Sequence, residues 1–469
     1  MKKNNKLKIF LLIYAISVCL VCLFKFKIDP DYLWHVKTGE YMFKNGILTH
    51  DVFSWSLKGR YWMSHEWLFE IFIYTLKVIF GKFHMLIYCL STSLLLMMIL
   101  FFTNLKDILK NTAFSLFWIS LFLILLFYVQ VRPHMISFSL MAISIYVLYD
   151  LYKNENSKKL YILPFISIIW ANVHGGSSNI PYLLCLLFIF GGMFRFKFSK
   201  IEANRLSKKQ FLKYFIIMII CMVCVCINIH GFRMFIYPYQ NMLDKKMLET
   251  IVEWKATSLN NPYDYIYILF AVFIFFVLLI SKKKIELVDL ILFGFCVFLG
   301  MKSVRFWFYT YILMSYVVFN YVGRYEDDGL VFKIGICAFS LLYVLTFAFS
   351  IKGFFPKETN FVLKQKDINY IKSLDSNRLF NMYNYGGDLI YNDVPVFIDG
   401  RADLYSGETF DDYINISTLT GDFYSTMCKY GFDYYLVDKN YDIDFYLRYN
   451  DKFQLLYANG DVKIYKKMN

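Results

Sequence analysis

The sequence predicts a polytopic α-helical membrane protein with about eleven transmembrane helices and a small C-terminal extracytoplasmic α/β domain. The 469 residues are 58% hydrophobic and 18% charged, and their mean hydropathy is +0.44. Soluble domains carry about a quarter charged residues. Aromatic residues reach 21%, which suits lipid contact and interfacial belts. This composition excludes a soluble enzyme, a disordered protein and a nucleic-acid-binding protein whose net charge of +14 covers a folded surface.

Apolar runs that could cross roughly 30 Å of hydrocarbon recur through the first three quarters of the chain. They cover residues 9–26, 84–103, 112–129, 134–152, 160–172, 180–194, 211–229, 264–281, 285–301, 304–322 and 330–350. The first run follows a lysine-rich start and has no small-residue cleavage site after it, so we interpret it as an uncleaved anchor.

Lysine and arginine in short loops indicate the orientation, because these residues are enriched on the cytoplasmic side. With a cytoplasmic N-terminus, the inside loops are the basic ones, namely 106–110, 153–159, 195–213 and 282–284. An odd number of spans then puts the C-terminal part outside the cytoplasm. We therefore expect a multi-pass transmembrane domain at 1–350, with its first outer loop at 27–83, and an extracytoplasmic domain at 351–469.

The C-terminal part is rich in Asp, Asn, Gly and Tyr and has no run that could cross a bilayer. Residues 394–400 and 434–438 are predicted as buried strands that end in acidic turns. Residues 453–465 are predicted as a hairpin with an Asn-Gly turn. Helical stretches near 361–374 and 421–431 alternate with these strands, which is typical of a small α/β domain.

Polar and ionisable residues collect at the outer ends of the predicted spans and in the outer loops. Ionisable groups beside hydrocarbon are costly and usually mark a cavity or a pathway. The candidate substrate-binding residues are His35, His65, Glu66, Arg132, His134, Asn172, His174, His230, Glu253, Lys302 and Arg305. The alternative is that outer loops are polar in any case, with arginines that snorkel to the interface and a tight turn at 172–176.

The first outer loop opens with an acidic pair at a predicted helix start. Asp29 suits the N-cap, Pro30 suits the first helical position, and Asn45-Gly46 suits the helix end. Asp31 and His35 are four residues apart, so they share one face of that helix. The structural alternative is that Asp29 only caps the helix and Asp31 only complements its dipole.

A second helix start follows at residues 64–68, again with an acid in the first turn. The two helices would bring Asp31, His35, His65 and Glu66 to one interfacial cleft. Such a group could act as a general base or hold a divalent cation. The candidate metal ligands are Asp31, His65 and Glu66, and the candidate metals are Mg, Mn and Zn.

This layout resembles the GT-C superfamily of membrane glycosyltransferases, which take a sugar from a polyprenyl-phosphate carrier on the non-cytoplasmic side. In that superfamily an acidic pair follows the first transmembrane helix, and Asp29-Pro30-Asp31 matches it in position and type. The protein O-mannosyltransferase and aminoarabinose-transferase branches add a proline-rich segment later in the loop. The corresponding stretch here, 65–68, lacks the prolines, so the substrate preference of those branches does not carry over.

The sequence is also similar, over nearly its whole length, to a group of bacterial membrane proteins. The shared segments are the Asp-x-Asp-x-x-Trp-His-x-x-Thr-Gly run at 29–39 and the segments 65–68, 131–133, 172–175 and 397–403. This resemblance implies a protein of the bacterial inner membrane and cell envelope. The last segment, Asp399-Gly400-Arg401-Ala402-Asp403, is either a ligand contact at a strand end or an internal Asp–Arg pair that rigidifies a turn.

The GT-C resemblance implies transfer of a sugar from a polyprenyl-phosphate donor to a hydroxyl group of a glycan, lipid or protein acceptor, on the extracytoplasmic face. The catalytic residues would be Asp29 and Asp31, with Asp29 preferred as the base by analogy. The donor phosphate would be contacted by Arg132, Lys302 and Arg305. Arginine offers phosphate a bidentate fork, and lysine offers it a point charge. No nucleic acid is expected as a partner.

Three other functions fit part of the pattern. Another lipid-phosphate enzyme would suit the histidines and acids, but no Ser or Thr nucleophile stands beside a metal motif. A transporter or flippase component often has inverted repeats and ionisable residues near the midplane, and the sequence shows neither. An O-antigen ligase or polymerase usually has its key Arg and His residues in a late outer loop, and its first loop has no acidic pair.

Overall fold

The structure is a computed structural model that describes residues 29–108, 129–243, 254–322, 363–375 and 378–468. Its contacts divide the chain into two compact units. The helical unit comprises residues 1–27 and 85–357, and the α/β unit comprises residues 28–84 and 358–469. The contacts therefore group the first loop with the C-terminal part, whereas the prediction from the sequence placed it in the transmembrane domain.

The α/β unit begins with two helices, α1 (Pro30–Asn45) and α2 (Trp67–Phe80). Asp29 is the N-cap of α1, and its Oδ1 accepts a hydrogen bond from the backbone N–H of Asp31 at 2.9 Å. Gly46 follows the last turn with φ 86°, a backbone conformation that favours glycine. The predicted start and end of this helix are confirmed.

The two helices pack closely because α1 carries a glycine at their contact. A Cβ on Gly39 would overlap the backbone carbonyl of Glu70 in α2 and lie 2.9 Å from the Cβ of Tyr74. The close approach brings the side chains on the facing sides of α1 and α2 within reach of each other.

The helical unit contains nine α-helices within the described ranges. They are α3 (His84–Ile108), α4 (His134–Lys153), α5 (Leu163–Val173), α6 (Ile180–Gly191), α7 (Lys208–Val225), α8 (Phe232–Leu243), α9 (Tyr265–Ile280), α10 (Leu287–Lys302) and α11 (Trp307–Val322). Three short strands form a small sheet in the order β1 (Phe196–Phe198), β2 (Ile201–Ala203) and β3 (Ile285–Glu286).

Helices occupy eight of the eleven predicted spans, and the other three, at 9–26, 112–129 and 330–350, lie outside the described residues. Three described helical segments are long and apolar enough to cross a membrane: Trp67–Leu100, His134–Lys153 and Pro262–Ile280. The helices at two of the shorter predicted spans have only 11 and 12 residues. At 1.5 Å per residue each is shorter than the hydrocarbon core. The total number of spans stays a prediction.

One face of α7 shows why the helical unit suits a lipid environment. Its exposed apolar side chains follow a helical spacing and include Phe211, Leu212, Phe215, Ile216, Ile219, Ile220 and Val223. Tyr214, Ile217 and Cys221, on the opposite side, are buried. An apolar stripe of this length is unfavourable in water, whereas hydrocarbon tails can cover it.

The C-terminal part of the α/β unit alternates helices and strands, as the sequence predicts. Its elements are α12 (Gln365–Lys372), β4 (Leu379–Asn381), α13 (Gly386–Tyr391), α14 (Ala402–Tyr405), α15 (Glu408–Thr418), α16 (Phe423–Tyr430), β5 (Tyr434–Asp438), α17 (Asp442–Arg448), β6 (Phe453–Asn459) and β7 (Val462–Lys467). The sheet order is β4-β5-β7-β6, with β4 parallel to β5 and the other pairs antiparallel.

The strand β5 and the β6–β7 hairpin confirm two predictions, but the predicted strand at 394–400 is wrong. In that segment only Val396 pairs, in a single parallel bridge to Ser54 of the first loop. The Val396 N–H donates to Phe53 O at 3.2 Å, and the Trp55 N–H donates to Val396 O at 2.9 Å. The segment is buried and apolar because it packs under the first loop, without joining the sheet.

The first loop and the C-terminal part share one hydrophobic core. Trp34 and Trp62 from the loop belong to the same buried cluster as Phe380 and Phe397. The Trp55 ring lies 5.6 Å from the ring of Phe397, and its Nε1 donates to the carbonyl of Leu379 at 3.1 Å. Because large aromatic side chains dominate the apolar area that a core buries, the C-terminal part depends on the loop for its packing.

A buried acid in α13 makes the stability of this unit depend on pH. Asp388 is 4% exposed, and burial raises its pKa to about 7. The folded state therefore holds this proton more tightly than the unfolded chain, whose aspartates titrate near pH 4, at roughly the value of a free side chain. The stabilisation is complete below about pH 4 and is lost as the pH rises through 7.

We expect wild-type protein to lose more thermal stability between pH 5 and pH 8 than Asp388→Asn does, because asparagine has no carboxyl proton to lose. The measurement is the melting temperature of the full chain in detergent at several pH values. Asp375→Asn, at an exposed position, should keep the wild-type dependence. Parallel curves for wild type and Asp388→Asn would contradict the prediction.

Candidate functional site

The imidazole of His35 lies between two carboxylates where α1 and α2 meet. Its Nε2 is 3.4 Å from Glu66 Oε2, and its Nδ1 is 3.3 Å from Glu70 Oε1. The His35 side chain is only 3% exposed, and the centroid of the Trp34 ring lies 3.7 Å from that of the imidazole, with the two rings tilted by 33°. Ser64 Oγ donates to the second oxygen of Glu70 at 2.7 Å. His35 and Glu66, predicted from the sequence to share a cleft, are in direct contact.

His65 extends this arrangement toward the C-terminal part. Its Nε2 is 3.3 Å from Glu66 Oε1, and its Nδ1 is 3.7 Å from Asp403 Oδ2. The acid–imidazole chain is therefore Glu70, His35, Glu66, His65 and Asp403. It runs from a carboxylate with a 1% exposed side chain at Glu70 to one that is 14% exposed at Asp403.

The charges of this chain favour a protonated imidazole at its outer end. Burial lowers the pKa of His65, but the nearby carboxylates of Glu66, Asp403 and Glu70 outweigh burial, so the pKa lies above its ordinary value. An opposite charge within a few ångströms stabilises the charged form of a group. The chain thus combines three acids with two imidazoles in a largely buried setting.

Asp31 lies in the same unit, one turn before His35, and is partly exposed. Trp34 Nε1 donates to Asp31 Oδ1 at 3.1 Å. Gly400 comes so close that a Cβ at this position would overlap Asp31 Oδ1 and lie 2.8 Å from Trp34 Nε1. The missing side chain at residue 400 therefore leaves room for the carboxylate. Asp29, by contrast, uses Oδ1 to cap α1.

A second charged group ties the loop to the C-terminal part. Arg401 is fully buried; its Nη1 donates to Asp51 Oδ1 at 2.6 Å and its Nη2 to Asp399 Oδ2 at 2.7 Å. Tyr405 OH also donates to Asp399 Oδ2, at 2.6 Å. The guanidinium carbon lies 4.8 Å from the ring centroid of Trp62. The Asp–Arg pair considered from the sequence is present, and it reaches an acid 350 residues earlier in the chain.

In the helical unit, His174 lies in a hydroxyl-rich group. Its Nδ1 is 2.8 Å from Ser137 Oγ, 2.9 Å from Ser177 Oγ and 3.4 Å from Tyr309 OH. His134 packs its ring 5.1 Å from Phe138, and Phe138 in turn contacts Tyr309 at 5.3 Å.

Asn228 forms hydrogen bonds with both Asn172 and His230. Asn228 Nδ2 donates to Asn172 Oδ1 at 2.9 Å, and the His230 N–H donates to Asn228 Oδ1 at 2.9 Å. Asn172 Nδ2 also donates to the backbone carbonyl of Ile227 at 3.0 Å. These bonds join the end of α5 to the segment after α7. Asn172 therefore has hydrogen bonds to a distant segment, in addition to those within its own turn.

The three predicted basic residues of the helical unit have different surroundings. The Arg132 carbonyl accepts a hydrogen bond from Tyr88 OH at 2.7 Å. Arg305 holds its guanidinium 4.5 Å from the ring centroid of Trp254, a cation–π contact, and Lys302 is exposed at the end of α10. Glu253 lies outside the described residues.

The predicted site residues thus belong to two units. The α/β unit contains Asp31, His35, His65 and Glu66, and places the last three in contact. The helical unit holds Arg132, His134, Asn172, His174, His230, Lys302 and Arg305. One outer pocket that unites both sets stays a prediction.

Glu70 belongs to the site but was not among the residues predicted from the sequence. Glu70 lies four residues after Glu66 on α2, so both carboxylates share one helix face, and this spacing was the available signal. Asp403 was noted only as part of a charged turn. Nothing in the sequence indicates that Asp403 reaches His65, because they are separated by more than three hundred residues.

The described residues do not support the predicted metal site. No group of three or more His, Cys, Asp or Glu side chains within those ranges is arranged to hold a metal ion. Both carboxylate oxygens of Glu66 face imidazoles, Oε2 toward His35 and Oε1 toward His65. Asp31 contacts Trp34 and Gly400 instead. We assign no step to a metal ion.

No protein-family model matches the sequence, and no curated protein matches it. Solved structures do match. The oligosaccharyltransferase AglB from Archaeoglobus fulgidus, in complex with an inhibitory peptide and a dolichol-phosphate, is similar with a TM-score of 0.54 at 11% identity. The alignment covers 97% of this chain and 74% of that chain.

A second structure of the Archaeoglobus fulgidus oligosaccharyltransferase, tethered with an acceptor peptide, has a TM-score of 0.53 at 10% identity. The alignment with it covers 98% of this chain and 74% of that chain. AglB is an enzyme of the GT-C superfamily, so the resemblance stated from the sequence is confirmed at the level of the fold.

Proposed function

We propose that the protein is a membrane glycosyltransferase that transfers a sugar from a polyprenyl-phosphate-linked donor to an acceptor hydroxyl group on the extracytoplasmic face. The fold supports this proposal, because solved structures of the same fold hold a dolichol-phosphate or an acceptor peptide. A membrane location is supported by the three helices that could cross a bilayer.

The observation that carries the proposal is the placement of Asp31. It lies in the first turn of α1, directly after the first predicted span, and its carboxylate faces the Gly400 backbone with no side chain between them. An acceptor hydroxyl must lose its proton as it attacks the sugar, and a positioned carboxylate can accept that proton.

We assign the base to Asp31 and the capping of α1 to Asp29, although analogy with the superfamily favoured Asp29. Asp29 Oδ1 is already engaged by the backbone N–H of Asp31 at 2.9 Å. A carboxylate that accepts a helix N-terminal N–H is stabilised in its charged form and is a weaker base. Asp31 Oδ1 accepts a hydrogen bond from the neutral indole N–H of Trp34 at 3.1 Å.

The reaction must also stabilise its leaving group. The departing polyprenyl phosphate gains negative charge, and fixed cations beside it lower the barrier. Arg132, Lys302 and Arg305 are the proposed phosphate contacts, and His134, Asn172, His174 and His230 are the proposed polar surroundings of the donor. The acid–imidazole chain would bind the acceptor molecule.

The direct test uses full-length protein in nanodiscs with a polyprenyl-phosphate sugar labelled in the sugar. Release of polyprenyl phosphate, with label in a hydroxyl-bearing acceptor, is the expected result. Heat-treated protein is the control. In a parallel assay with the protein reconstituted in vesicles, movement of intact donor across the membrane without cleavage would identify a transporter or flippase. No cleavage of any donor of this class would overturn the proposal.

The proposed orientation predicts the labelling of one native thiol. Among the described cysteines, Cys428 in the α/β unit is exposed, Cys226 is half-buried, and Cys89, Cys185, Cys221, Cys224 and Cys296 are buried. An impermeant maleimide added to intact spheroplasts should label the protein, and Cys428→Ser should lower that label. Labelling at Cys428 that needs permeabilised membranes would place the α/β unit in the cytoplasm.

A further inference from the structure

We propose that Asp403, from the C-terminal part, is a positioning residue of the active site, holding His65 and through it the acid–imidazole chain. The inference rests on the proposed function, and it assigns a role to the C-terminal part. Its basis is the alternation of acid and imidazole from Glu70 to Asp403.

Each imidazole in this chain has a carboxylate opposite both of its ring nitrogens. His35 lies between Glu70 and Glu66 at 3.3 and 3.4 Å. His65 lies between Glu66 at 3.3 Å and Asp403 at 3.7 Å. A ring held at both nitrogens has a defined orientation, and the partner of one nitrogen determines what the other can do.

The segment that carries Asp403 also faces Asp31. Gly400, three residues earlier, lies against Asp31 Oδ1 and Trp34 Nε1. The Gly400 carbonyl accepts a hydrogen bond from Tyr383 OH at 3.1 Å. Arg401, which lies between Gly400 and Asp403 in the sequence, forms an ion pair with Asp51. One segment therefore packs its glycine against the proposed base and places a carboxylate near His65.

A purely stabilising ion pair would predict a different outcome. At 3.7 Å, with both side chains 14% exposed, the His65–Asp403 pair is looser than the Arg401 group. Removing one partner of a largely buried pair costs stability in either role, whereas only a positioning role lowers the turnover of protein that remains folded, because the acceptor held by the acid–imidazole chain is then misplaced. A loss of turnover without a loss of folding separates the two roles.

The kinetic experiment compares Asp403→Asn, Asp403→Glu and the control Asp375→Asn in the full chain. Asp403→Asn should lower kcat by about 10-fold to 100-fold, the range typical of groups that orient a functional imidazole. Its KM for the donor should stay within about two-fold, because the proposed donor contacts lie outside the acid–imidazole chain. Asp403→Glu should recover part of the loss, and Asp375→Asn should match wild type. Wild-type turnover by Asp403→Asn, or no recovery by Asp403→Glu, would overturn the positioning role.

A spectroscopic readout tests the contact even if no donor is turned over. In protein labelled with ¹⁵N-histidine, the His65 resonance is assigned by its disappearance in His65→Gln. Asp403→Asn should shift this resonance and leave that of His50, an exposed histidine of the same unit, unchanged. An unshifted His65 resonance contradicts the inference itself, whereas a shifted resonance in a protein that cleaves no donor contradicts only the proposed function.

Discussion

Asp31→Asn is expected to lower kcat by about 1,000-fold, within the range of roughly 10² to 10⁴ that a general base contributes. The amide has the size of the carboxylate and can still accept the Trp34 Nε1 hydrogen bond, which is 3.1 Å long in the wild type. It cannot take the acceptor proton. The measurement is single-turnover release of polyprenyl phosphate at saturating donor, and an unchanged melting temperature shows that the variant folds.

Asp29→Asn is the matched control, because asparagine and aspartate are equally good N-caps. The hydrogen bond from the Asp31 N–H can be kept, so we expect a loss of kcat of at most about 10-fold, from the altered charge near Asp31. A larger loss in Asp29→Asn than in Asp31→Asn would show that Asp29 is the base. Normal turnover by both variants would remove the proposed site altogether.

The second large effect is on folding. Arg401→Met should destabilise the protein by about 3–5 kcal/mol, because it leaves Asp51 and Asp399 buried with no opposite charge. Methionine fills much of the same volume beside Trp62, so the loss of the charge dominates over the loss of packing. The measurement is denaturant or thermal unfolding of the full chain in detergent, followed by tryptophan fluorescence.

Two controls separate the buried charge from the substitution. Arg60→Met removes the same charge from an exposed position of the first loop and should change stability by less than about 0.5 kcal/mol. Combining Arg401→Met with Asp51→Asn and Asp399→Asn should recover part of the stability, since no unpaired charge then stays buried. An Arg401→Met variant as stable as Arg60→Met would show that this group does not join the loop to the C-terminal part.

Local sequence signals predicted the individual elements well. The start of α1 follows from an N-cap aspartate and a proline, and its end from Asn45-Gly46, because each of these acts on the backbone within one turn. The β6–β7 hairpin follows from its Asn-Gly turn for the same reason. The i, i+4 spacing of α2 would also have placed Glu70 beside Glu66.

Contacts between distant segments were not predictable in the same way. The apolar run at 394–400 looked like a strand because strands and other buried segments have the same composition. Its actual partner is the first loop, through Phe53, Ser54 and Trp55. A single sequence contains no signal for such a pairing, since loop closure over more than three hundred residues leaves no local periodicity.

The amino-acid sequence by itself determined that most of the chain is helical and apolar, and that acids and imidazoles concentrate at the start of α1 and of α2. These features arise from side-chain solubility and from backbone effects within a few residues. Only the tertiary structure decided that Glu70 and Asp403 complete the acid–imidazole chain and that Arg401 joins Asp51 to Asp399. Those contacts depend on which distant surfaces bury one another, and packing of the whole α/β unit settles that.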